Sequence, residues 1–241
     1  MEALLLSAGL GTRLRPLTND RPKALVEVDG TTLLELNLRH LIQVGAKRIV
    51  VNVHHFADQI VDFIGQRKWE AEILISDERE LLLDTGGGLK RAEHLFSGNE
   101  PILIHNVDIL SHIPLQRLVA QHTGSMSVAT LAVSHRKTSR YLLFDDENQL
   151  VGWENTSAGE QKWVSTPKER YNQLAFSGIA VVSPEIFKML PSAEQPYPII
   201  PEYLRIANDH TISCLQHDPT QWIDVGKLDT LPIAAKFLPL D

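Results

Sequence analysis

Short apolar runs alternate with longer amphipathic stretches through the first half of this chain, and few folds accommodate that pattern. Ala3–Ser7, Arg48–Val53, Glu72–Ile75 and Pro101–His105 read as buried strands. Thr31–Val44, His55–Gln66, Gly87–Phe96 and Pro114–Gln121 read as helices. Thr32 and Glu35 stand at capping-box spacing, and Gly45 follows the end of that helix. Strands joined through helices make right-handed crossovers, so the expected fold is α/β: a Rossmann-like, mostly parallel mixed sheet flanked by helices.

The second half has a different rhythm. Ser127–Val133, Tyr141–Phe144, Leu150–Trp153 and Gln173–Val182 read as strands, with a turn at Asp145-Asp146-Glu147-Asn148. Ser183-Pro184-Glu185 reads as a helix start. This half is expected to be partly antiparallel, with 156–171 a mobile excursion. No repeat or low-complexity linker divides the chain, so 1–241 is expected to be one domain.

Charge narrows the partners. Lys and Arg number 23 against 30 Asp and Glu, a net charge of −7. That balance disfavours nucleic acid. Four cations nevertheless crowd between Thr12 and Leu25 (Arg13, Arg15, Arg21, Lys23) against Asp20 alone. One basic loop in an acidic protein suggests a small anionic ligand. The apolar run at the N-terminus is too short for a signal peptide, and no segment reaches the roughly 18 apolar residues of a membrane span. With one cysteine, Cys214, there is no disulfide framework. A cytoplasmic protein without a membrane partner, monomeric or homodimeric, is the expectation.

The loop after the first strand is the most informative segment. Gly9-Leu10-Gly11-Thr12-Arg13 follows the strand, and Pro16, Thr18, Pro22 and Lys23 come next. In open α/β sheets ligands bind beyond the carboxyl ends of strands, where glycines let backbone amides approach phosphate oxygens. Leu14 stands where a dinucleotide fingerprint needs its third glycine, and the P-loop's Gly-Lys-Ser/Thr is absent. The three glycines after Asp84-Thr85 carry no side chains and are expected to leave room for a ligand. Asp108 ends an apolar strand, a place suited to a hard cation. The ten histidines read as structural or surface residues; His54 and His55 would point to opposite faces of a strand.

These motifs together resemble the sugar-1-phosphate nucleotidyltransferase family. The resemblance runs from residue 3 to about 235. It implies that Leu6, Ala8, Gly9, Gly11 and Thr12 hold the nucleotide. Arg13 would lie on the β- and γ-phosphates and Lys23 near the α-phosphate. Thr85, Gly86 and Gly87 would contact the nucleobase and sugar. His105-Asn106-Val107-Asp108 resembles the family's Asn-Gly-Asp, and Gln221-Trp222-Ile223-Asp224-Val225-Gly226 its late Trp-x-Asp motif, which makes Asp108 and Asp224 the expected Mg²⁺ ligands. Val107 departs from the usual glycine, and Lys227 from the usual threonine. Ala175–Ile179 matches a strand under the sugar; Asn106 and Gly178 are expected on the sugar, and Arg140 is the candidate partner for the lactyl charge of a muramate. Residues 1–125 would then form the nucleotide half and 126–241 the sugar-phosphate half.

The family's Glu-Lys-Pro lysine is missing, since Trp153-Glu154-Asn155 occupies its place. No hexapeptide-repeat extension follows the late motif. Both points resemble short N-acetylmuramate-1-phosphate uridylyltransferases more than mannose-1-phosphate guanylyltransferases. The expected partners are therefore UTP, or GTP, and a sugar 1-phosphate. A catalytically silent sugar-nucleotide-binding subunit would be expected to lose Arg13, Lys23, Asp108 or Asp224, and all four are kept.

Overall fold

The computed structural model describes residues 1–238. The elements follow in the order β1 (Glu2–Leu6), β2 (Glu27–Val28), β3 (Thr31–Thr32), α1 (Leu33–Gln43), β4 (Arg48–Val53), α2 (Ala57–Gly65), β5 (Glu72–Asp77) and α3 (Asp84–Arg91). Next come β6 (Ile102–Asn106), β7 (Ile109–Ser111), α4 (Leu115–Thr123), β8 (Ala129–Ser134), β9 (Arg140–Phe144), β10 (Leu150–Asn155) and β11 (Glu160–Trp163). The chain continues through β12 (Asn172–Val182), α5 (Ile199–Ile206), β13 (Ile212–Gln216), β14 (Trp222–Asp224) and α6 (Leu231–Phe237).

The main sheet is mixed and runs β11-β10-β9-β12-β6-β1-β4-β5, with β8 between β12 and β13. Its parallel core is β6-β1-β4-β5; Leu4 pairs with both Val50 and Ile104. The continuous apolar run of β1 has a direct cause. Ala3 and Leu5 enter a core with α1 on one face, while Leu4 enters a second core with α3 and α5 on the other. A strand covered on both faces needs no polar alternation. Thr32 caps α1 by accepting from the Glu35 amide at 3.2 Å, as its spacing predicts.

Two expectations are corrected and a third, the helix start at Ser183, is borne out in a shorter form. The segment 156–171 is not a structureless excursion: it holds β11, which pairs antiparallel with β10, Trp153 opposite Lys162. The helix after Asp84 starts at Asp84 itself, so the glycine run 86–88 is helical and buried. Ser183 leads into a short 3-10 helix, Pro184–Lys188, and its hydroxyl bonds His122 instead of capping.

Candidate active site

The parallel strands end together at one edge, and the glycine loop leaves β1 there. Gly9 has nothing within 4 Å of where a side chain would begin, so its backbone stands open. Gly11 adopts φ +63, and a side chain there would press on Lys23 and Thr18; the Thr18 hydroxyl donates to the Gly11 carbonyl at 2.9 Å. Arg13 and Lys23 each sit on a short 3-10 turn, Thr12–Leu14 and Lys23–Leu25. Each turn is pinned by an apolar neighbour, Leu14 or Ala24, that is fully buried. Burying one leucine contributes about 2 kcal/mol, enough to hold a cation in place on a surface loop. Leu14, which excluded a dinucleotide fingerprint, is thus the plug of this loop.

Asp108 follows β6, and Asp224 ends β14. The Val225 amide donates to the Asp108 carbonyl at 2.8 Å and locks the two segments together. At Gly226 a methyl group would lie 2.6 Å from Asp224 Oδ1, 2.7 Å from Arg13 Nη2 and 3.2 Å from Asp108 Oδ2. One point therefore gathers both acids and Arg13. The Lys23 ammonium contacts the Asp108 carboxylate at that same oxygen, Oδ2. Val107 is accommodated: its side chain is buried, its amide donates to Leu6 and its carbonyl accepts from Asn37 at 2.9 Å. Leu6, Ala8, Gly9, Lys23, Thr85, Asn106 and Asp108 line one cavity of about 380 Å³.

The other expected residues lie elsewhere. The Gly86 and Gly87 amides both donate to the Tyr197 carbonyl, at 3.0 and 3.2 Å. A methyl group on Gly86 would stand 2.5 Å from the Tyr197 ring. The glycine run therefore makes no room for a ligand; it lets α3 close on the chain ahead of α5. Gly178, at φ +71, packs against Asn106 Nδ2, so those two expected residues meet. Gly11 and Thr12 shape the loop without lining the cavity.

Arg140 lines a second, larger cavity of about 780 Å³. Its walls come from β9, β10, β11, β12 and α5. Together with Arg136 from the loop after β8 they carry Arg140, Lys162 and Arg205, the aromatic rings of Tyr141, Trp153, Trp163 and Phe176, and, among the described residues, no acid. Neither cavity is lined by a histidine. One segment separates them, since Pro196 lines the first and Pro198 the second.

Comparison with known proteins decides the family: a nucleotidyl transferase model matches residues 2–239. The chain belongs to the nucleotidyl transferase family. Within it, the chain is one of the sugar-1-phosphate nucleotidyltransferases. It is 33% identical over 234 residues to an N-acetylmuramate alpha-1-phosphate uridylyltransferase of Caulobacter vibrioides, covering 93% of this chain and 91% of that protein. It is 27% identical to a mannose-1-phosphate guanylyltransferase catalytic subunit beta of Dictyostelium discoideum, covering 94% of this chain and only 61% of that protein. In fold it resembles the inositol-1-phosphate CTP transferase from T. maritima, with a TM-score of 0.76 at 17% identity and coverage of 98% and 95%.

Two residues that this nucleotidyl transferase places on its first cavity were not foreseen. Asn52 Oδ1 accepts from the Ser7 and Ala8 amides at 2.6 and 3.3 Å, and its Nδ2 donates to Glu78 at 2.8 Å. Glu78 in turn accepts from the Leu83 amide at 3.1 Å. Burial raises the Glu78 carboxyl above its ordinary value, opposed by the Asn52 bond. This bridge ties the glycine loop to the start of α3. In sequence, Asn52 is a polar residue inside an apolar strand, and that interruption was its signal. Arg136 of the second cavity was not foreseen either.

Proposed function

We propose that this protein transfers the uridylyl group of UTP to an N-acetylated, acidic amino-sugar 1-phosphate such as N-acetylmuramate 1-phosphate, releasing pyrophosphate. The observation that carries the transfer is the convergence of Arg13, Lys23, Asp108 and Asp224 beside a cavity floored by open backbone at Gly9. An oxygen of the sugar phosphate attacks the α-phosphorus of UTP, a new O–P bond forms, and the bond to pyrophosphate breaks. The attacking oxygen is already ionised near neutral pH, so no general base is needed. Positioning and charge neutralisation do the chemistry. Lys23 meets charge at the α-phosphate, and Arg13 meets it on the departing phosphates.

Asp108 and Asp224 fit magnesium. Their hard carboxylate oxygens stand side by side at Gly226, where a side chain would fill the space between them. Among the described residues no cluster of three or more His, Cys, Asp or Glu forms a metal cage, which suits an ion that keeps water and phosphate ligands. When bound, the ion would draw charge from the α-phosphate and align the attack.

The near full-length match to the Caulobacter uridylyltransferase and the all-cationic second cavity support an acidic acceptor. Arg140 would meet its carboxylate. Residues 1–125 would carry most of the nucleotide site and 126–241 most of the acceptor site, with Asp224 and Pro196 crossing to the former. Among the described residues no helix is long and apolar enough to cross a membrane, in keeping with a cytoplasmic role in supplying precursors for cell-wall synthesis. A monomer or homodimer is expected. Pyrophosphate release with UTP, GTP, CTP and dTTP against N-acetylmuramate 1-phosphate, N-acetylglucosamine 1-phosphate and mannose 1-phosphate tests the proposal. Preference for GTP with mannose 1-phosphate would overturn the substrate and keep the reaction; silence with every pair would overturn both.

A further inference from the structure

Arg136 follows β8 and is the one cation of the second cavity that is turned toward the metal acids. Its guanidinium stacks 4.3 Å from the Trp222 ring, two residues before Asp224. One Nη donates to the Phe176 carbonyl at 2.6 Å. Its Nε is buried and has no hydrogen-bond partner, and no carboxylate lies within ion-pair distance among the described residues. Asp224 acts on it only through space. A desolvated cation without a paired anion is costly, and an anionic ligand removes that cost.

The spine beneath it connects the two cavities. The register of β12 shifts between Phe176 and Ala180. Within that irregular stretch Phe176 bonds Arg136, Ser177 accepts from the Trp222 indole at 2.7 Å, and Gly178 packs on Asn106 of the first cavity. The opposite end of the second cavity is made by the edge strands. Arg140, Leu142, Trp153 and Lys162 share one face there, by strand alternation and register. The stretch that stands in place of the absent family motif, Trp153-Glu154-Asn155, is the second half of β10, with Asn155 opposite Arg140.

We infer that the second cavity seats the acceptor sugar 1-phosphate with its phosphate on Arg136, and that Arg136 replaces the missing lysine by approaching from β8 instead of β10. This inference rests on the reaction proposed above. The phosphate must lie near Asp224 to reach the α-phosphorus, and Arg136 is the cavity cation placed there. Arg140 and Lys162 are left for a negative substituent at the far end. Trp153 and Phe176 offer apolar walls for the sugar ring between them.

The test uses the whole protein. Arg136→Gln keeps a donor for the Phe176 carbonyl and removes the charge. The apparent KM for N-acetylmuramate 1-phosphate should rise about 10- to 100-fold, the range of a lost charge-assisted contact. The KM for UTP should stay within about twofold, and Arg136→Lys should recover part of the loss. An unchanged acceptor KM, or an equal rise for both substrates, overturns the inference while wild-type turnover preserves the reaction. Quenching of tryptophan emission by N-acetylmuramate 1-phosphate gives a readout without turnover. Quenching of wild type that is lost in Arg136→Gln supports the seat even if no nucleotide reacts; equal quenching in both, or in neither, overturns it.

Discussion

The two cavities of this nucleotidyltransferase are built on opposite electrostatic plans. The first mixes charges: Lys23, Asp108, Glu78 and Asp84 line it, and Arg13 and Asp224 meet beside Asp108 at Gly226. The second has four cations and, among the described residues, no acid. The difference reflects what each ligand would bring. A nucleoside triphosphate arrives with a divalent ion and needs carboxylates for it as well as cations for itself. A sugar phosphate arrives as an anion alone. On the proposed reaction, charge composition would thus separate donor from acceptor in a chain that is acidic overall.

Four experiments test that contrast. The largest effect is expected at the acids. Asp108→Asn and Asp224→Asn should each lower turnover by about a thousandfold, several kcal/mol of transition-state stabilisation, and raise the Mg²⁺ needed for half activity. Acceptor binding followed by tryptophan emission should be nearly unaffected; comparable losses in both would show a single site, not two. Full activity in excess chelator would remove the metal role altogether. Next come Lys23→Ala and Arg13→Ala, each expected to cost about 2–4 kcal/mol in kcat/KM with unchanged circular dichroism.

A smaller effect is expected at the shared wall. Gly86→Ala forces a methyl group against the Tyr197 ring and should destabilise by about 1–3 kcal/mol. Thermal melting reads the loss, and KM should rise for both substrates because Pro196 and Pro198 move together. A stable variant with one KM altered would mean that the wall yields. The smallest effect belongs to exposed Arg140. Arg140→Gln should reduce the preference for N-acetylmuramate 1-phosphate over N-acetylglucosamine 1-phosphate by about two- to fivefold, less at high salt. A preference that does not move would leave Lys162 as the partner of the acidic substituent.

The first cavity was more legible in the sequence than the second, for a physical reason. Gly9, Arg13, Lys23, Asp108 and Asp224 sit in motifs where backbone freedom and charge are local properties, so residue type and spacing reveal them. The parallel core was legible because strands covered on both faces carry long apolar runs, as in β1. What the sequence hid depends on pairing. Trp153 and Lys162 become neighbours only through the register of β10 and β11, and Arg136 meets Trp222 only after the chain has returned through β14. The glycines at 86–88 show the reverse error. Their lack of side chains reads as open space, yet Tyr197 fills it at Gly86, Leu83 at Gly87, and Glu78 with Asn52 at Gly88. Helix α5 escaped notice because Pro198 and Pro201 bracket its first turn and obscure its period, although proline is tolerated there.

The place of β11 at the margin of the sheet carries a consequence for descent. Among the described residues it pairs with β10 alone, and no other strand takes its register from it. Exchanges in this hairpin would leave the order β12-β6-β1-β4, and with it the donor machinery, intact. A lineage built on this plan is free to trade one acceptor for another by redrafting the outermost hairpin while inheriting the bond-making apparatus unaltered.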